Sequence, residues 1–363
     1  MKSFDEIFED RTKYAMKITT NEYQSEGTHP IIDQGQKMIA AYTDLEEGVF
    51  VDVPAIIFGD HTRIIKYIER PFFLGADGVK VLRSIIEDAN YKYLYYALRN
   101  AKIPDTGYNR HFKWLKEVKI KYPGVTKQQE IVIVLDKIER IVEEQKQELL
   151  ELDNLVKSRF VEMFGEYPAN PRGWEVGTIK DVVTDVRYGS SRPAVNGGKY
   201  SYLRMNNITY GGELDLTDIK RINVPESELE KCTVRRGDVL FNRTNSKELV
   251  GKTCVYDRDE MMVLAGFVIR IRVNERVLPE FLSAFLNTDF SKQMLYGMCK
   301  TAIGQANINA HEMQNIGIYL PPVELQRQFV QFKNQTTKLK FEIQKSLDET
   351  QILMDSLMQE YFG

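Results

Sequence analysis

The chain contains a long internal repeat, with one copy near the middle of the sequence and the other at its end. Residues 118–165 realign on residues 316–363 at one constant offset and without a gap, so that Pro123 falls on Pro321. Solenoid repeats are only about 20–50 residues long, and this spacing is far greater. We therefore expect one module, a globular part followed by a long helix, to occur twice, with its two copies related by an approximate twofold axis.

The repeated segments have the pattern of long amphipathic helices. In the first copy, the seam residues recur every three or four positions, and they are Ile131, Leu135, Ile138, Val142, Gln145, Leu149, Leu152, Val156 and Met163. This is a heptad seam with one polar position. No Pro or Gly interrupts residues 125–164, and about 40 residues at 1.5 Å each would span roughly 60 Å.

The second copy has the same length but a more polar seam. Its apolar seam residues are Phe329, Ile343, Leu347, Met354 and Leu357, and its polar ones are Lys333, Thr336, Lys340 and Thr350. Two matched helices of this kind favour an antiparallel coiled coil. The alternative is that each helix docks separately on its own globular domain.

Proline and glycine mark the predicted segment limits. Proline suits the start of a helix, as at Pro123 and Pro321, and glycine can adopt the left-handed conformation that ends one, as at Gly165. The predicted segments are a first globular domain (1–122), a first helical spacer (123–165), a second globular domain (166–320) and a second helical spacer (321–363).

Short β-branched strands that end in polar loops occur in both globular segments. The predicted fold class is α/β (α+β), with two mixed α/β domains separated by two long helices that form an antiparallel coiled coil, in a pseudo-twofold tandem repeat.

The composition argues against several classes of protein. No run approaches the roughly 18 apolar residues of a membrane span, and the charged first residues do not form a signal peptide. We therefore expect a cytoplasmic protein with no membrane contact. Cys232, Cys254 and Cys299 lack metal-ligand spacing, and the sequence has neither a glycine-rich phosphate loop nor an adenine-methyltransferase signature. We expect no catalytic residue, no metal site and no enzymatic activity in this chain.

Side chains that can read the edges of bases are concentrated at predicted strand ends. Arginine pairs with guanine, and Asn or Gln pairs with adenine. Because the net charge is −3, any contact with DNA must come from such local clusters. The candidates in the first domain are Lys37, His61, Arg63, Lys66, Asn109 and Arg110. Those in the second domain are Arg187, Tyr188, Ser190, Ser191, Arg192, Arg204, Asn206, Asn207, Arg243, Asn245, Lys247 and Gln305.

Several of these residues also have a structural interpretation. Arg243 could pair with Asp238 inside the domain, and Asn307 and Asn309 could simply cap the turn before the second helical spacer. His61, at a strand end, could be a satisfied polar residue. We expect Tyr108 and Tyr202 to lie in the core rather than to stack on bases.

Five strings of residues, in this order along a duplicated chain, identify a resemblance to a known family. They are Gly189-Ser190-Ser191-Arg192-Pro193, Tyr202-Leu203-Arg204-Met205-Asn206-Asn207-Ile208, Gly237-Asp238-Val239-Leu240-Phe241-Asn242-Arg243-Thr244, Gly304-Gln305-Ala306-Asn307-Ile308-Asn309 and the helix start Leu320-Pro321-Pro322-Val323-Glu324-Leu325-Gln326-Arg327-Gln328. With these strings the chain resembles, over essentially its whole length, the specificity subunit of a Type I restriction–modification system.

The resemblance implies that each globular domain reads one half of a split, asymmetric target in double-stranded DNA. Two methyltransferase subunits would bind the helices and methylate adenine with S-adenosylmethionine, and a motor-nuclease subunit would use ATP and Mg²⁺. The chain itself would bind no cofactor. Lys333, Thr336 and Lys340 could face such a partner instead of the other helix. Two alternatives stay open, the recognition subunit of a fused nuclease–methyltransferase of the Type IIB kind and a protein-interaction scaffold without DNA.

Overall fold

The computed structural model of the chain describes residues 1–302 and 305–363, with the backbone alone for residues 300–302 and 305. This part of the chain is a mixture of helices and short strands, as the sequence predicts. None of its helices is long and apolar enough to cross a membrane.

The first half of the chain places eight of its nine strands before its first α-helix. The strands are β1 (Lys2–Ser3), β2 (Phe8–Asp10), β3 (His29–Ile32), β4 (Ala41–Thr43), β5 (Ala55–Gly59), β6 (Ile65–Ile68), β7 (Phe73–Leu74), β8 (Val79–Ser84) and β9 (Lys119–Ile120). The helices are α1 (Tyr91–Arg99), α2 (Phe112–Leu115) and α3 (Val125–Phe164), and β9 lies between α2 and α3. Helix α3 has the limits that the sequence predicts for the first long helix.

The second half has more strands, and short helices lie between them. Its strands are β10 (Glu175–Thr178), β11 (Val183–Tyr188), β12 (Tyr200–Leu203), β13 (Lys220–Ile222), β14 (Thr233–Val234), β15 (Val239–Asn242), β16 (Thr244–Asn245), β17 (Thr253–Val255), β18 (Met262–Leu264), β19 (Val268–Val273), β20 (Lys300–Ala302), β21 (Gln305–Asn307) and β22 (Gly317–Leu320). Its helices are α4 (Glu226–Cys232), α5 (Pro279–Leu286), α6 (Asp289–Met298), α7 (Ala310–Gln314) and α8 (Val323–Phe362). Helices α3 and α8 are each 40 residues long.

The described residues group into two compact units. Unit 1 contains residues 1–146 and 345–363, and unit 2 contains residues 147–344. Each unit therefore combines one run of strands and short helices with part of both long helices. The segment limits drawn from the sequence stay a prediction.

In unit 1, a four-stranded antiparallel sheet in the order β2-β8-β5-β6 carries helix α1 on one face. Side chains alternate between the two faces of a strand, so Ile56 and Phe58 of β5 pack with Tyr93 and Tyr96 of α1, and all four are fully buried. Ile57 lies in a separate apolar cluster on the other face. A second sheet, β4-β3-β7, pairs β3 and β7 in parallel, and β1 pairs with β9.

The two long helices pack antiparallel in unit 1. Leu135 and Ile138 of α3 share a buried cluster with Met354 of α8. Further along α3, the Gln145 side-chain amide donates a hydrogen bond of 2.8 Å to the Ser346 hydroxyl of α8. The predicted polar seam position thus faces a polar partner on the other helix.

In unit 2, the sheet β11-β19-β15-β17 carries helix α5 as the equivalent sheet of unit 1 carries α1. The second sheet has the order β13-β12-β18-β14, with β12 and β18 parallel, and β10 pairs with β22. A further antiparallel sheet in unit 2, β16-β21-β20, places Thr244 opposite Asn307.

The long helices are also antiparallel in unit 2. The rings of Phe160 and Phe329 meet edge to face with centroids 5.3 Å apart. The Lys340 ammonium lies 2.7 Å from the Asp153 carboxylate of α3 and 2.8 Å from that of Glu213. Lys340 therefore faces the other helix, and the antiparallel pairing predicted from the seam is confirmed within each unit.

Candidate nucleic-acid interface

In unit 2, the loops that follow several strands meet at one cavity. The cavity has a volume of about 480 Å³. It is lined by side chains from the loops after β11, β12, β15 and β18, namely Ser190, Ser191, Arg192, Arg204, Met205, Asn206, Arg243 and Phe267 among others. Three of the strings that carry the family resemblance thus come together at the edge of two sheets, although they are far apart in the sequence.

Close backbone packing holds the first of these loops in place. A Cβ atom on Gly189 would lie only 2.1 Å from the Leu264 carbonyl oxygen, so the loop requires glycine there. The next residue, Ser190, donates its N–H to the same carbonyl at 2.6 Å. The buried Tyr202 hydroxyl lies 3.1 Å from the carbonyl oxygens of both Ser190 and Arg192. Tyr202 is therefore a core residue, as predicted, and it supports the loop from below.

Arg243 is held in the wall of this cavity. Its guanidinium donates a 2.9 Å hydrogen bond to the Asn307 side-chain oxygen and lies 4.9 Å from the Tyr188 ring centroid. Its Nε is buried without a partner among the described residues. Asp238 instead pairs with Arg272 at 2.7 Å, so the alternative in which Arg243 pairs with Asp238 is wrong.

The other arginines of this surface are paired with carboxylates close to solvent. The pairs are Arg187 with Asp185 at 2.8 Å, Arg192 with Glu228 at 2.6 Å and Arg204 with Asp218 at 2.8 Å. The hydrogen bond from Arg192 lowers the pKa of Glu228. Exposed ion pairs contribute little to stability, so these guanidinium groups can exchange their partners for phosphate groups at little cost.

The remaining predicted residues of unit 2 differ in their exposure. Ser191 and Asn206 are exposed, and Lys247 lies over the Tyr296 ring at 4.2 Å. Asn207 is buried, and its amide donates to the Asp215 carbonyl at 2.8 Å, which closes the loop rather than reaching solvent.

Asn245 and Gln305, the last two predicted residues of unit 2, lie in the sheet β16-β21-β20. Asn245 is half-buried in β16. Gln305 begins β21, and its side chain lies outside the described residues.

In unit 1, the equivalent sheet edge brings together residues from several loops. The Gln34 side-chain oxygen accepts the His61 N–H at 3.2 Å, and its amide donates to the Asp77 carbonyl at 3.0 Å. The His61 ring Nδ1 lies 3.2 Å from the Asn109 carbonyl oxygen. The structure thus joins the loops after β3, β5 and β7 with the segment before α2.

Tyr108 is at the surface of this cluster. It is 88% exposed, and its ring stacks on the His61 ring with centroids 4.6 Å apart and an interplanar angle of 8°. The expectation that Tyr108 is a core residue is therefore wrong. The neighbouring Arg110 is exposed, and its charge contributes to the lowered pKa of Asp77, whose main cause is the hydrogen bond from Lys17.

The other predicted residues of unit 1 are less available. Lys66 is buried, and its ammonium donates to the Lys37 carbonyl at 2.6 Å and lies 3.3 Å from Asp33. Lys37 keeps an exposed side chain. Arg63 pairs with Asp105 at 2.7 Å on a different loop.

Three residues of the two sheet edges were missed in the sequence. Gln34 lies in the loop after β3 as Arg204 lies in the loop after β12, and the polar stretch 33–37 was a usable signal. Lys17 pairs with Asp77. Phe267 is half exposed and lines the unit 2 cavity, but an apolar residue beside a strand gives no sequence signal of exposure.

Metal binding has no support in the described part of the chain. No three His, Cys, Asp or Glu side chains there are grouped so that they could hold a metal ion. The three cysteines are free and buried, and burial raises the pKa of the Cys254 thiol to about 12. A thiol in this state is inert toward metals and oxidants at neutral pH.

Comparison with known protein families gives one clear match. Residues 1–152 and 171–351 match the model of the Type I restriction modification DNA specificity domain. Among curated proteins, the EcoKI specificity subunit of Escherichia coli (strain K12) is 25% identical over 212 residues, which are 57% of this chain and 46% of that protein. The MjaX putative specificity subunit of Methanocaldococcus jannaschii is 25% identical over 53% of this chain and 46% of its own length. These matches span about half of each relative.

Other matches extend over nearly the whole chain. The EcoR124I/EcoR124II specificity subunit of Escherichia coli is 22% identical over 98% of this chain and 90% of that protein. Among solved structures, the Type I restriction-modification S subunit of M. genitalium has a TM-score of 0.58 at 15% identity, and the match covers 100% of this chain and 95% of that one. A type I R-M system structure that concerns complex assembly has a TM-score of 0.55 at 17% identity, with 99% and 95% coverage. At these identities, the structures establish a common fold.

Proposed function

Since the chain belongs to the family of Type I restriction–modification DNA specificity proteins, we propose that it reads a bipartite, asymmetric target in double-stranded DNA. One half of the target is read by the sheet edge of unit 1 and the other by the sheet edge of unit 2. Specificity subunits of this family have no catalytic activity or catalytic cofactor of their own. Methylation and cleavage would therefore take place in partner subunits.

The observation that carries this proposal is the convergence of distant polar loops on the unit 2 cavity. Arginine fits guanine through two parallel hydrogen bonds in the major groove. Arg243 suits this role because Asn307 and Tyr188 fix its orientation. The ion-paired arginines around it suit phosphate groups, which fix the register of the protein on the duplex. The proposed contact residues of unit 2 are Arg187, Tyr188, Ser190, Ser191, Arg192, Arg204, Asn206, Arg243, Asn245, Lys247 and Gln305.

The proposed contacts of unit 1 have a different chemistry. His61 and Tyr108 present a stacked pair of rings, and the contact residues beside them are Lys37, Asn109 and Arg110, with Gln34 as an addition. We propose Arg63 as a contact at the edge of this surface. We leave Lys66 of unit 1 and Asn207 of unit 2 out of the contact surface, because both side chains are buried and bonded within the protein. Ser190 is also buried, but it is kept because it lines the unit 2 cavity.

The partner subunits proposed are two methyltransferase subunits and a motor-nuclease subunit. The long helices offer a repeated surface for two copies of one partner. Leu155 of α3 falls on Leu353 of α8 in the sequence repeat, and these residues are 48% and 50% exposed, one in each unit. Exposed apolar residues at equivalent positions fit two identical partner surfaces. S-adenosylmethionine, ATP and Mg²⁺ would be used by the partners, in the cytoplasm.

The proposal is tested by co-expressing the chain with its methyltransferase partner and mapping N6-methyladenine in the DNA of the host. We expect methylation at one split sequence with two different halves, and none when this chain is left out. A continuous palindromic motif, or methylation that does not depend on the chain, would contradict the proposal.

The proposed binding of two methyltransferase subunits to Leu155 and Leu353 has its own test. Leu155→Asp and Leu353→Asp should each reduce the stoichiometry of bound methyltransferase from two copies to one, as measured by native mass spectrometry. Ile133→Asp is the matched control, since Ile133 is exposed but has a polar counterpart, Gln331, in the other helix.

A further inference from the structure

Unit 2 contains a second cavity, away from the loops of the candidate interface. Its volume is about 320 Å³, and it lies between the two long helices, the Tyr210–Glu213 loop and the start of α6. Its walls include the apolar side chains of Val156, Phe160 and Phe329. Binding pockets for small molecules have volumes of about 300–1,000 Å³ and apolar walls with a few polar groups, so this cavity is large enough for a small ligand.

Four lysines line the cavity, and ion pairs account for two of them. Lys157 pairs with Asp289 at 3.1 Å. Lys340 pairs with both Asp153 and Glu213. Each of these cations thus has its counter-charge in the protein.

The other two lysines have no carboxylate within ion-pair distance among the described residues. Lys292 reaches only the Gly251 carbonyl, at 3.3 Å, and the Tyr210 ring, 5.2 Å from its centroid. Lys333 has no hydrogen bond from its ammonium in the described part of the chain. Two ammonium groups therefore face the same cavity without an ion-pair partner among the described residues. Glu280 and Glu213 act on Lys333 only from beyond ion-pair distance, and the lining has four lysines against three carboxylates, those of Asp153, Glu213 and Asp289.

The internal repeat shows that this arrangement is specific to unit 2. In the repeat, Lys333 falls on Leu135 of the first helix, and Lys340 falls on Val142. Leu135 is fully buried in the apolar core of unit 1. The same module can thus fill this position with an apolar side chain, and unit 2 holds a cation there instead.

Partial burial lowers the pKa of both unpaired lysines. Loss of hydration lowers the pKa of Lys292 to about 8, with a smaller contribution from the charges of Lys252 and Lys157. Loss of hydration also lowers the pKa of Lys333. Both side chains are half-buried, and a partly desolvated cation without an ion-pair partner costs free energy that a bound anion would reduce.

We infer that this cavity binds a small oxyanion, a carboxylate or a phosphate, which Lys292 and Lys333 hold from two sides. The apolar walls leave room for a short hydrocarbon part beside the acid group. This site is independent of the DNA contacts proposed above, because it is lined by the helices and a different loop.

The test follows the thermal unfolding of the full-length protein in a chloride buffer while sodium phosphate or sodium succinate is added at constant ionic strength. A ligand that binds only the folded state raises the melting temperature in a saturable way. We expect this rise with phosphate, with succinate or with both, and the response identifies which acid group the site prefers. Because a hydrogen bond to a charged group is lost, Lys333→Met and Lys292→Met should each weaken the affinity roughly tenfold or more.

Two controls separate the cavity from other basic surfaces. Lys338→Met removes an exposed lysine from the same helix, and Arg192→Gln removes a proposed DNA contact. Both variants should keep the wild-type response. The inference is wrong if neither anion produces a saturable rise in wild type, or if the Lys333→Met and Lys292→Met variants respond as wild type does. If one of these two variants does not fold, the other still decides the question.

Discussion

The two units share the same arrangement of sheets and differ in the loops at the solvent-facing edge of those sheets. In both, a four-stranded sheet carries one helix, and a second sheet contains a parallel pair of strands. Unit 2 adds the sheet β16-β21-β20 at its edge, which holds Asn307 against Arg243. At the corresponding edge, unit 1 has the loop that stacks Tyr108 on His61. The comparison indicates that the common sheets set the positions of the loops, and that the segment before α2 or α7 sets the chemistry presented.

A second difference concerns the buried residues that support the loops at the two sheet edges. Each unit uses a buried lysine, Lys66 in β6 or Lys252 just before β17, to hold the loop after the first strand of its second sheet. Lys66 donates to the Lys37 carbonyl at 2.6 Å, and Lys252 donates to the Met205 carbonyl at 3.0 Å. Only Lys66 also has a carboxylate, that of Asp33, within ion-pair distance among the described residues. The same support is thus built with an ion pair in one unit and without it in the other.

The largest expected effect on DNA binding is at Arg243. Arg243→Ala should reduce binding at the half-site that unit 2 is proposed to read by about 1–3 kcal/mol, because the proposed two-hydrogen-bond contact with guanine would be lost. Binding at the other half-site should not change. The measurement is a set of equilibrium binding titrations with duplexes mutated in one half at a time.

Arg236 provides the matched control for this substitution. Arg236 is an exposed arginine paired with Asp259 at 2.7 Å, before β15 rather than after it. Arg236→Ala should leave both half-sites unaffected. Equal losses from both variants would show that Arg243 has only a general electrostatic effect.

The buried lysines provide the next comparison. Lys66→Met should lower the free energy of unfolding by about 1–3 kcal/mol, because it leaves the Lys37 carbonyl and Asp33 without their partner. Lys252→Met should cost less, since it removes a buried charge that has no counter-charge. Urea unfolding of the two variants measures both values. A greater loss for Lys252→Met would overturn this account of the difference.

The smallest expected effect on stability is at Tyr108. Because its ring is exposed, Tyr108→Ala should change the free energy of unfolding by no more than about 0.5 kcal/mol. The same variant should weaken binding at the half-site read by unit 1, and this loss should be absent at the other half-site. If stability falls sharply while binding is unchanged, the ring is a structural element of the loop.

Local signals in the sequence predicted the helices well. Proline before α3 and glycine after it define the helix at the residues where the structure has it. The three-four spacing of Leu135 and Ile138 predicted which side is buried. The limits of a helix and its buried side depend on residues that are close in the sequence, so local sequence patterns predict them.

The candidate site could be predicted only in part. The strings around Ser190, Arg204 and Arg243 do converge, but the partner of Arg243 comes from β21, far along the chain. Lys66, predicted as a contact, is buried, and Tyr108, predicted in the core, is exposed. The exposure of both residues depends on which loops cover the strand ends, and local sequence does not show that. The sequence did not show why Lys340 lies on the seam of the second helix, because Glu213, one of its two carboxylate partners, lies outside the repeat.

The central claim is that each unit reads its own half of the target, and an exchange of domains tests it most directly. Residues 1–122 are replaced by the corresponding domain of another specificity subunit, and N6-methyladenine is mapped in cells that contain the complete complex. We expect one half of the methylated sequence to change and the other half to stay the same. A change in both halves would contradict the claim, and so would an unchanged sequence.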